Sequence, residues 1–122
     1  MHEFPKEQVD ELLALFAGAK QMEEGDIPYF FLPSVTIPGG ANPATVDLLL
    51  RPVYGDGYDS RLFFSAQPTF SSRKSSENLN WNAVGVHILS RNWYAFSWRT
   101  QPNLTLAQMV AMHLKALQGQ HD

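Results

Sequence analysis

Residues 37–52, IPGGANPATVDLLLRP, combine a turn with the most strand-like run in the chain. The proline and glycine residues of the first half predict a reversal of chain direction. In the second half Val46, Leu48 and Leu50 occupy alternate positions, so they face the same side of a strand. A strand with one apolar face is typical of an antiparallel sheet packed on one side.

The opposite face of this strand carries Asp47, Leu49 and Arg51. Two of these three residues are charged, so we expect Asp47 and Arg51 to be exposed, with partners on neighbouring strands. Leu49 interrupts an otherwise clean alternation.

A helix is predicted before this strand. It begins after Pro5, which suits a first helical turn, and Gly25 with Asp26 is expected to end it. Apolar residues recur along it at spacings of three and four, which defines one buried face: Val9, Leu12, Leu13, Phe16 and Ala17. Between the helix and residue 37, an apolar run interrupted by prolines predicts strands at 29–32 and 34–37, joined directly or by a bulge.

After the strand that ends at Arg51, further strands and one closing helix are predicted. Residues 61–66 are a further strand, and the turn Ser90-Arg91-Asn92 separates two apolar runs of a hairpin. The second run is aromatic on both faces, so it is buried on both sides or presents one side to a partner. Thr105 and Gln108 have capping-box spacing and mark the start of the last helix.

This order indicates an α+β fold of one domain, residues 1–122. An N-terminal helix, an antiparallel meander of four to five strands and a C-terminal helix form two layers. The length of 122 residues is normal for one domain.

Composition narrows the class of function. The net charge is −3, and the few basic residues are scattered, which argues against nucleic-acid binding. No apolar run is long enough to span a membrane and the N-terminus does not resemble a signal peptide, so we expect a cytoplasmic protein with no membrane partner. The chain has no cysteine, which excludes thiolate chemistry on it.

The residue types that commonly carry catalysis form no recognisable motif in this sequence. The four histidines are scattered, and neither a nucleophile motif nor a phosphate-binding loop occurs. We therefore predict no catalytic residue, no metal site and no cofactor. His113 lies on the apolar face of the last helix and is interpreted as a core histidine bonded to backbone.

Several short motifs nevertheless resemble a known family. They are Pro38-Gly39-Gly40, Asn42-Pro43, the run 46–52, Gly57-Tyr58-Asp59, Leu62-Phe63-Phe64, Ser90-Arg91, Trp98-Arg99 and His113-Leu114. Together they resemble the prokaryotic family E branch of the ubiquitin-conjugating-enzyme (UBC-like) superfamily, over about residues 28–117. Its core of a helix, a four-stranded antiparallel meander and further helices agrees with the order above.

The resemblance implies a place in a bacterial ubiquitin-like modification pathway, some of which are linked to phage defence. The implied partners are a ubiquitin-like protein and its activating enzyme. Because no cysteine is present to carry a thioester, we expect a non-catalytic binding module. Two alternatives stay open: a conjugating enzyme that uses another nucleophile or whose cysteine was replaced, and an unrelated α+β binding or structural domain.

Two exposed turns are the candidate binding surface, because they combine aromatic and charged groups. The residues are Tyr58, Asp59, Ser90, Arg91, Asn92 and Trp93.

Overall fold

The computed structural model describes residues 4–37, 41–70 and 80–117. Within them the chain forms two helices and eight strands. In chain order these are α1 (Lys6–Leu15), β1 (Lys20–Glu24), β2 (Ile27–Thr36), β3 (Ala41–Asn42), β4 (Thr45–Arg51), β5 (Arg61–Phe64), β6 (Thr69–Phe70), β7 (Ala83–Ile88), β8 (Arg91–Ala95) and α2 (Leu106–Leu117). The turn predicted at 38–40 lies outside the described residues.

Six strands form one antiparallel sheet in the order β1-β2-β4-β5-β8-β7. Apart from the short strand β3, which lies outside this sheet, the first four follow one another along the chain, as in a meander, whereas β8 lies between β5 and β7. The short strands β3 and β6 pair separately. The α+β class is confirmed, and the described sheet has more strands than the four to five predicted.

The first helix is shorter than predicted. It ends at Leu15, and Phe16 already has an extended backbone, with φ −124°. Residues 20–24 are then strand β1, which pairs along its whole length with β2. Gly25 and Asp26 form the two-residue turn of that hairpin, both with positive φ, so the prediction that they end the helix is wrong.

Of the two alternatives left open before residue 37, a direct continuation or a bulge, the structure has one strand that contains a bulge. The β2–β4 register shifts between Leu32 and Val35, and Ser34 has φ 52°. Its N–H donates to Asp47 Oδ1 at 2.8 Å. A residue of β4 therefore satisfies the backbone donor that the irregular position exposes.

Both helices pack on one face of the sheet. Leu12 of α1 and Val110 of α2 lie in one apolar cluster with Leu48, Leu50 and Phe64 of the sheet. The capping box is confirmed: the Gln108 N–H donates to Thr105 Oγ1, and the Thr105 N–H donates to Gln108 Oε1. These bonds satisfy two of the amides that a helix start leaves without intrahelical partners.

The other face of the sheet is concave and has its own apolar cluster, here called the concave-face cluster. Its buried members are Tyr29, Leu49, Phe63, Ala83, Ile88, Trp93 and Ala95. Phe31 of β2 and Trp93 of β8 meet edge to face with ring centroids 6.4 Å apart, although β4 and β5 lie between their strands. The sheet therefore curls toward this face, and Leu49, which interrupts the alternation of β4, is buried inside the curl.

The Glu24 side chain links strand β1 to the β7–β8 turn across the curled sheet. Glu24, at the end of β1, accepts a hydrogen bond of 2.8 Å from the N–H of Leu89 in the β7–β8 turn. Leu89 has φ 52°, a left-handed conformation that costs energy for a bulky side chain. The bond to Glu24 stabilises this turn.

We expect Glu24→Ala to lower the free energy of unfolding by about 1 kcal/mol, because it removes a partly solvated hydrogen bond to a charged acceptor. Exchange of the Leu89 amide hydrogen should accelerate. Urea denaturation and hydrogen exchange measure the two effects, and Glu24→Gln, which keeps an acceptor oxygen, is the matched control. Unchanged protection of the Leu89 amide in Glu24→Ala would show that this contact does not hold the turn.

One free edge of the sheet is irregular. Strand β7 lies at the end of the strand order, and its register with β8 shifts between Val84 and Val86. Gly85 occupies the shift with φ 70°, a conformation that glycine adopts without strain. Val84 and Val86 are both exposed.

No helix in the described ranges is long and apolar enough to cross a membrane.

Candidate functional site

The predicted binding residues fall into two separate groups on the concave side. Tyr94 of β8 pairs with Phe64 of β5. Ser97, which contacts Tyr58, lies just beyond the C-terminal end of β8. Arg91 is the first residue of β8 and lies at the other end of the strand. Residues 90–93 and the Tyr58 loop therefore lie at opposite ends of β8.

The β7–β8 hairpin is confirmed, with its turn one residue earlier than predicted. Leu89 and Ser90 form the turn, both with positive φ, and Ile88 pairs with Arg91. Asn92 lies within β8. Ser90, Arg91 and Asn92 are exposed, whereas Trp93 is buried.

Arg91 is held in a fixed position at the rim of the concave face. Its Nη1 lies 3.0 Å from Asp47 Oδ2. Its guanidinium carbon lies 4.8 Å from the ring centroid of Trp93 and 5.9 Å from that of Phe31. An ion pair and two aromatic faces orient the cation, while 43% of its side chain stays exposed. Asp47 thus has an ion-pair partner on another strand, but that strand is β8, which β5 separates from β4, and the Asp47 side chain is half-buried rather than exposed as predicted.

A groove of about 180 Å³ opens beside this cation. It is lined by Lys20, Met22, Phe31, Leu89, Arg91 and Trp93. The Trp93 indole N–H donates to the Ile88 carbonyl at 3.0 Å, so the ring offers only apolar surface to the groove. The volume is below that of a typical small-molecule pocket, roughly 300–1,000 Å³. The groove has room for one apolar side chain of a partner, and Arg91 at its edge can pair with an acidic group of that partner.

The Tyr58 loop forms the second group, and its aromatic ring is buried. Tyr58 Oη lies 2.7 Å from Ser97 Oγ and accepts a hydrogen bond of 3.1 Å from Asn82 Nδ2. The hydrogen bond with Ser97 lowers the pKa of the Tyr58 phenol below its ordinary value, and Asn82, Arg61 and Arg99 act in the same direction against desolvation. Asp59 is exposed.

Arg51 is buried, so the prediction that it is exposed is wrong. It folds over the loop after β4, donating from Nε to the Val53 carbonyl at 3.1 Å and from Nη2 to the Gly55 carbonyl at 2.7 Å. A Cβ at position 55 would lie 3.0 Å from the Arg51 guanidinium carbon, so a larger residue there would force the guanidinium to shift. Asp56, 3.6 Å from Nη1, completes the site.

Arg61 and Arg99 both lie near the Tyr58 ring, and sequence analysis did not single them out for this position. Their guanidinium carbons are 4.5 Å and 5.8 Å from its centroid. Arg61 is buried and donates from Nη2 to Asn82 Oδ1. The sequence signal for this position was an arginine at the start of the apolar strand RLFF. A charged residue in a buried strand needs buried partners.

The remaining titratable side chains add no further site to the two sets of predicted binding residues. Among residues 4–37, 41–70 and 80–117, no three His, Asp or Glu side chains cluster so as to hold a metal ion. His87 is exposed on β7. His113 is buried and bonded to the Met109 carbonyl at 2.8 Å, as its place on the apolar helix face predicted.

No protein-family model, no curated protein and no solved structure matches this chain.

Proposed function

We propose that this protein is a non-catalytic, UBC-like binding module of a ubiquitin-like protein modification pathway. The exposed turn residues Ser90, Arg91 and Asn92 contact the partner, and the adjoining groove receives one of its side chains. The observation that carries this proposal is the oriented Arg91 cation beside an aromatic groove.

The element order supports the placement in this superfamily. Helix α1 is followed by β1, β2, β4 and β5, four antiparallel strands that are neighbours in the sheet. A helix followed by a four-stranded meander is the core that the sequence resemblance implies. Strands β7 and β8 extend this core at one edge.

The chemistry of the rim supports a protein partner. Arginine and aromatic side chains contribute a large share of binding energy at protein interfaces when they are held rigidly. Arg91 is fixed by Asp47, and Trp93 is fixed by its bond to the Ile88 carbonyl, so neither loses much side-chain entropy on binding. The chain has no cysteine, which agrees with binding without thioester transfer.

Arg91→Ala is expected to weaken binding to the ubiquitin-like protein about tenfold or more. The measurement is calorimetric titration with a bacterial ubiquitin-like protein. Lys115→Ala, which removes an exposed cation from α2, is the matched control and should bind normally.

A second measurement separates binding from catalysis. The protein is mixed with the activating enzyme, the ubiquitin-like protein and ATP, and the products are separated on a denaturing gel with and without hydroxylamine. A non-covalent complex without an adduct is expected. An adduct that hydroxylamine removes would contradict the non-catalytic role, and the absence of any complex would contradict the pathway.

A further inference from the structure

The groove beside Arg91 is lined by a second cation. Lys20 of β1 and Arg91 of β8 both belong to its lining. Lys20 is the direct partner of Phe31 in the β1–β2 ladder, so these two side chains lie side by side on the same face. The Arg91 guanidinium carbon lies 5.9 Å from the Phe31 ring centroid. Both cations therefore lie next to one aromatic ring, and both are exposed to solvent, Arg91 over 43% of its side chain.

Arg91 keeps one edge of its guanidinium group open. Its Nη1 forms the ion pair with Asp47, whose other carboxylate oxygen accepts the Ser34 N–H. Within residues 4–37, 41–70 and 80–117, neither Nε nor Nη2 of Arg91 donates to a protein acceptor. These two nitrogens form an edge that can bind both oxygens of one carboxylate. Asp47 thus orients Arg91 and leaves this edge to a ligand.

The charges around the groove favour an anion at one of its ends. Lys20 makes no ion pair within the described ranges. Glu24 projects from the same face of β1 but lies four residues further along, about 13 Å away at the rise of a strand, where it accepts the Leu89 N–H. The groove is therefore positive near Lys20 and negative near Glu24, and one added carboxylate is attracted to the Lys20 end.

We propose that this groove binds the C-terminal residue of a partner polypeptide. The apolar side chain of that residue lies against Met22, Phe31 and Trp93, and its terminal carboxylate pairs with Arg91 and Lys20. The volume of about 180 Å³ admits one such side chain. The site rests on the proposed use of this groove for a protein partner, but not on the ubiquitin-like pathway.

The position of the cation favours a chain end over an internal acidic residue. In an extended peptide the residue after an apolar one points to the opposite face, and the next residue on the same face lies about 7 Å further along. The Arg91 guanidinium carbon is only 4.8 Å from the ring centroid of Trp93, which forms a wall of the groove. A terminal carboxylate is attached to the same Cα as the apolar side chain, so both reach their partners together.

Nuclear magnetic resonance titration of the isotope-labelled full chain tests the site. N-acetyl-leucine reproduces a C-terminal apolar residue and is expected to shift the Leu89 and Arg91 amide signals in a saturable manner. N-acetyl-leucinamide, which lacks only the carboxylate, is the matched probe and should bind about tenfold or more weakly, because it loses the charge-assisted bonds. Equal binding of the two compounds overturns the proposal, as does the absence of a saturable shift with N-acetyl-leucine.

Two variants assign the carboxylate to its cations. Arg91→Gln should weaken binding of N-acetyl-leucine about tenfold or more, as expected for loss of a charge-assisted bond. Lys20→Gln changes an exposed position of an edge strand, so the fold should stay intact, and binding should weaken about threefold, as for an exposed ion pair. Lys115→Gln makes the same change on α2 and is the control that should bind normally. Unchanged affinity in both groove variants would overturn the proposal.

Other occupants are separated by two more probes. The peptide acetyl-Leu-Ser-Asp-amide has its acid two residues beyond the leucine and no free terminus. Binding as tight as that of N-acetyl-leucine would identify an internal segment as the occupant and overturn the chain-end site. Acetate that gives the same shifts at equal concentration would overturn it as well, because no apolar group would then be needed.

The chain-end site and the proposed pathway fail in different measurements, because none of these probes contains a ubiquitin-like protein. Saturable binding of N-acetyl-leucine, together with no binding of a ubiquitin-like protein, would contradict the pathway alone. Binding of the ubiquitin-like protein that depends on Arg91, together with no preference for the free carboxylate of the small probes, would contradict the chain-end site alone.

Discussion

Replacing Trp93 by alanine is expected to lower the free energy of unfolding by about 3–5 kcal/mol. Trp93 is 1% exposed and belongs to the concave-face cluster, on the face opposite the two described helices. Its ring contacts Phe31 across two intervening strands and carries the Arg91 guanidinium. The substitution therefore removes the side chain that holds the curl together. Typical domain stabilities are about 5–15 kcal/mol, so the variant should be only marginally folded.

Trp93→Phe separates packing from hydrogen bonding. It keeps an aromatic ring but removes the donor to the Ile88 carbonyl, so a smaller loss of about 1–2 kcal/mol is expected. Urea denaturation at neutral pH gives both values. A loss below about 1 kcal/mol for Trp93→Ala would mean that the curl is maintained by other contacts.

The second large effect is a loss of stability at acid pH caused by His113. Burial lowers the pKa of His113 from 6.5 to about 4, and Arg61 acts in the same direction, whereas the bond to the Met109 carbonyl opposes it. Between these two pH values the unfolded chain binds a proton that the folded protein does not. The stabilisation is thus complete above pH 6.5 and is lost as pH falls toward 4, by about 3 kcal/mol.

His113→Asn is the matched variant for this measurement. It does not titrate, yet its amide can still donate to the Met109 carbonyl. Urea denaturation of both proteins between pH 7 and pH 4 should show a steeper decline for the histidine form, because the acidic groups common to both cancel in the comparison. Parallel stability curves would show that His113 titrates alike in the folded and unfolded states.

Apolar periodicity predicted strand β4 and the last helix well, and it failed at the end of the first helix. The spacing of Val9, Leu12 and Phe16 is helical, but only Met22 is apolar within residues 20–24. The absence of an apolar helical face there, together with Gly25-Asp26 as a two-residue hairpin turn, was the signal for β1. Pairing with β2 along the whole strand determines the structure of this segment.

The burial of residues at the two ends of the site was harder to predict, because it depends on contacts that no local sequence pattern shows. Arg51 is charged and lies on the face opposite Leu48, so alternation predicted exposure. Its partners are backbone carbonyls of the following loop, which no side-chain pattern reveals. Tyr58 was expected at a surface and is buried against Ser97 and Arg61. Trp93, for which burial and exposure were both open, is buried inside the curl of the sheet.

The bulge at Gly85 also bears on association between copies of the protein. An open sheet ends in strands whose free N–H and C=O groups can pair with another chain, and exposed valines such as Val84 and Val86 would favour such pairing. The extra residue disrupts the regular spacing of these groups along β7, so a second strand cannot add along its full length. Backbone geometry at one glycine thus protects an apolar edge from aggregation.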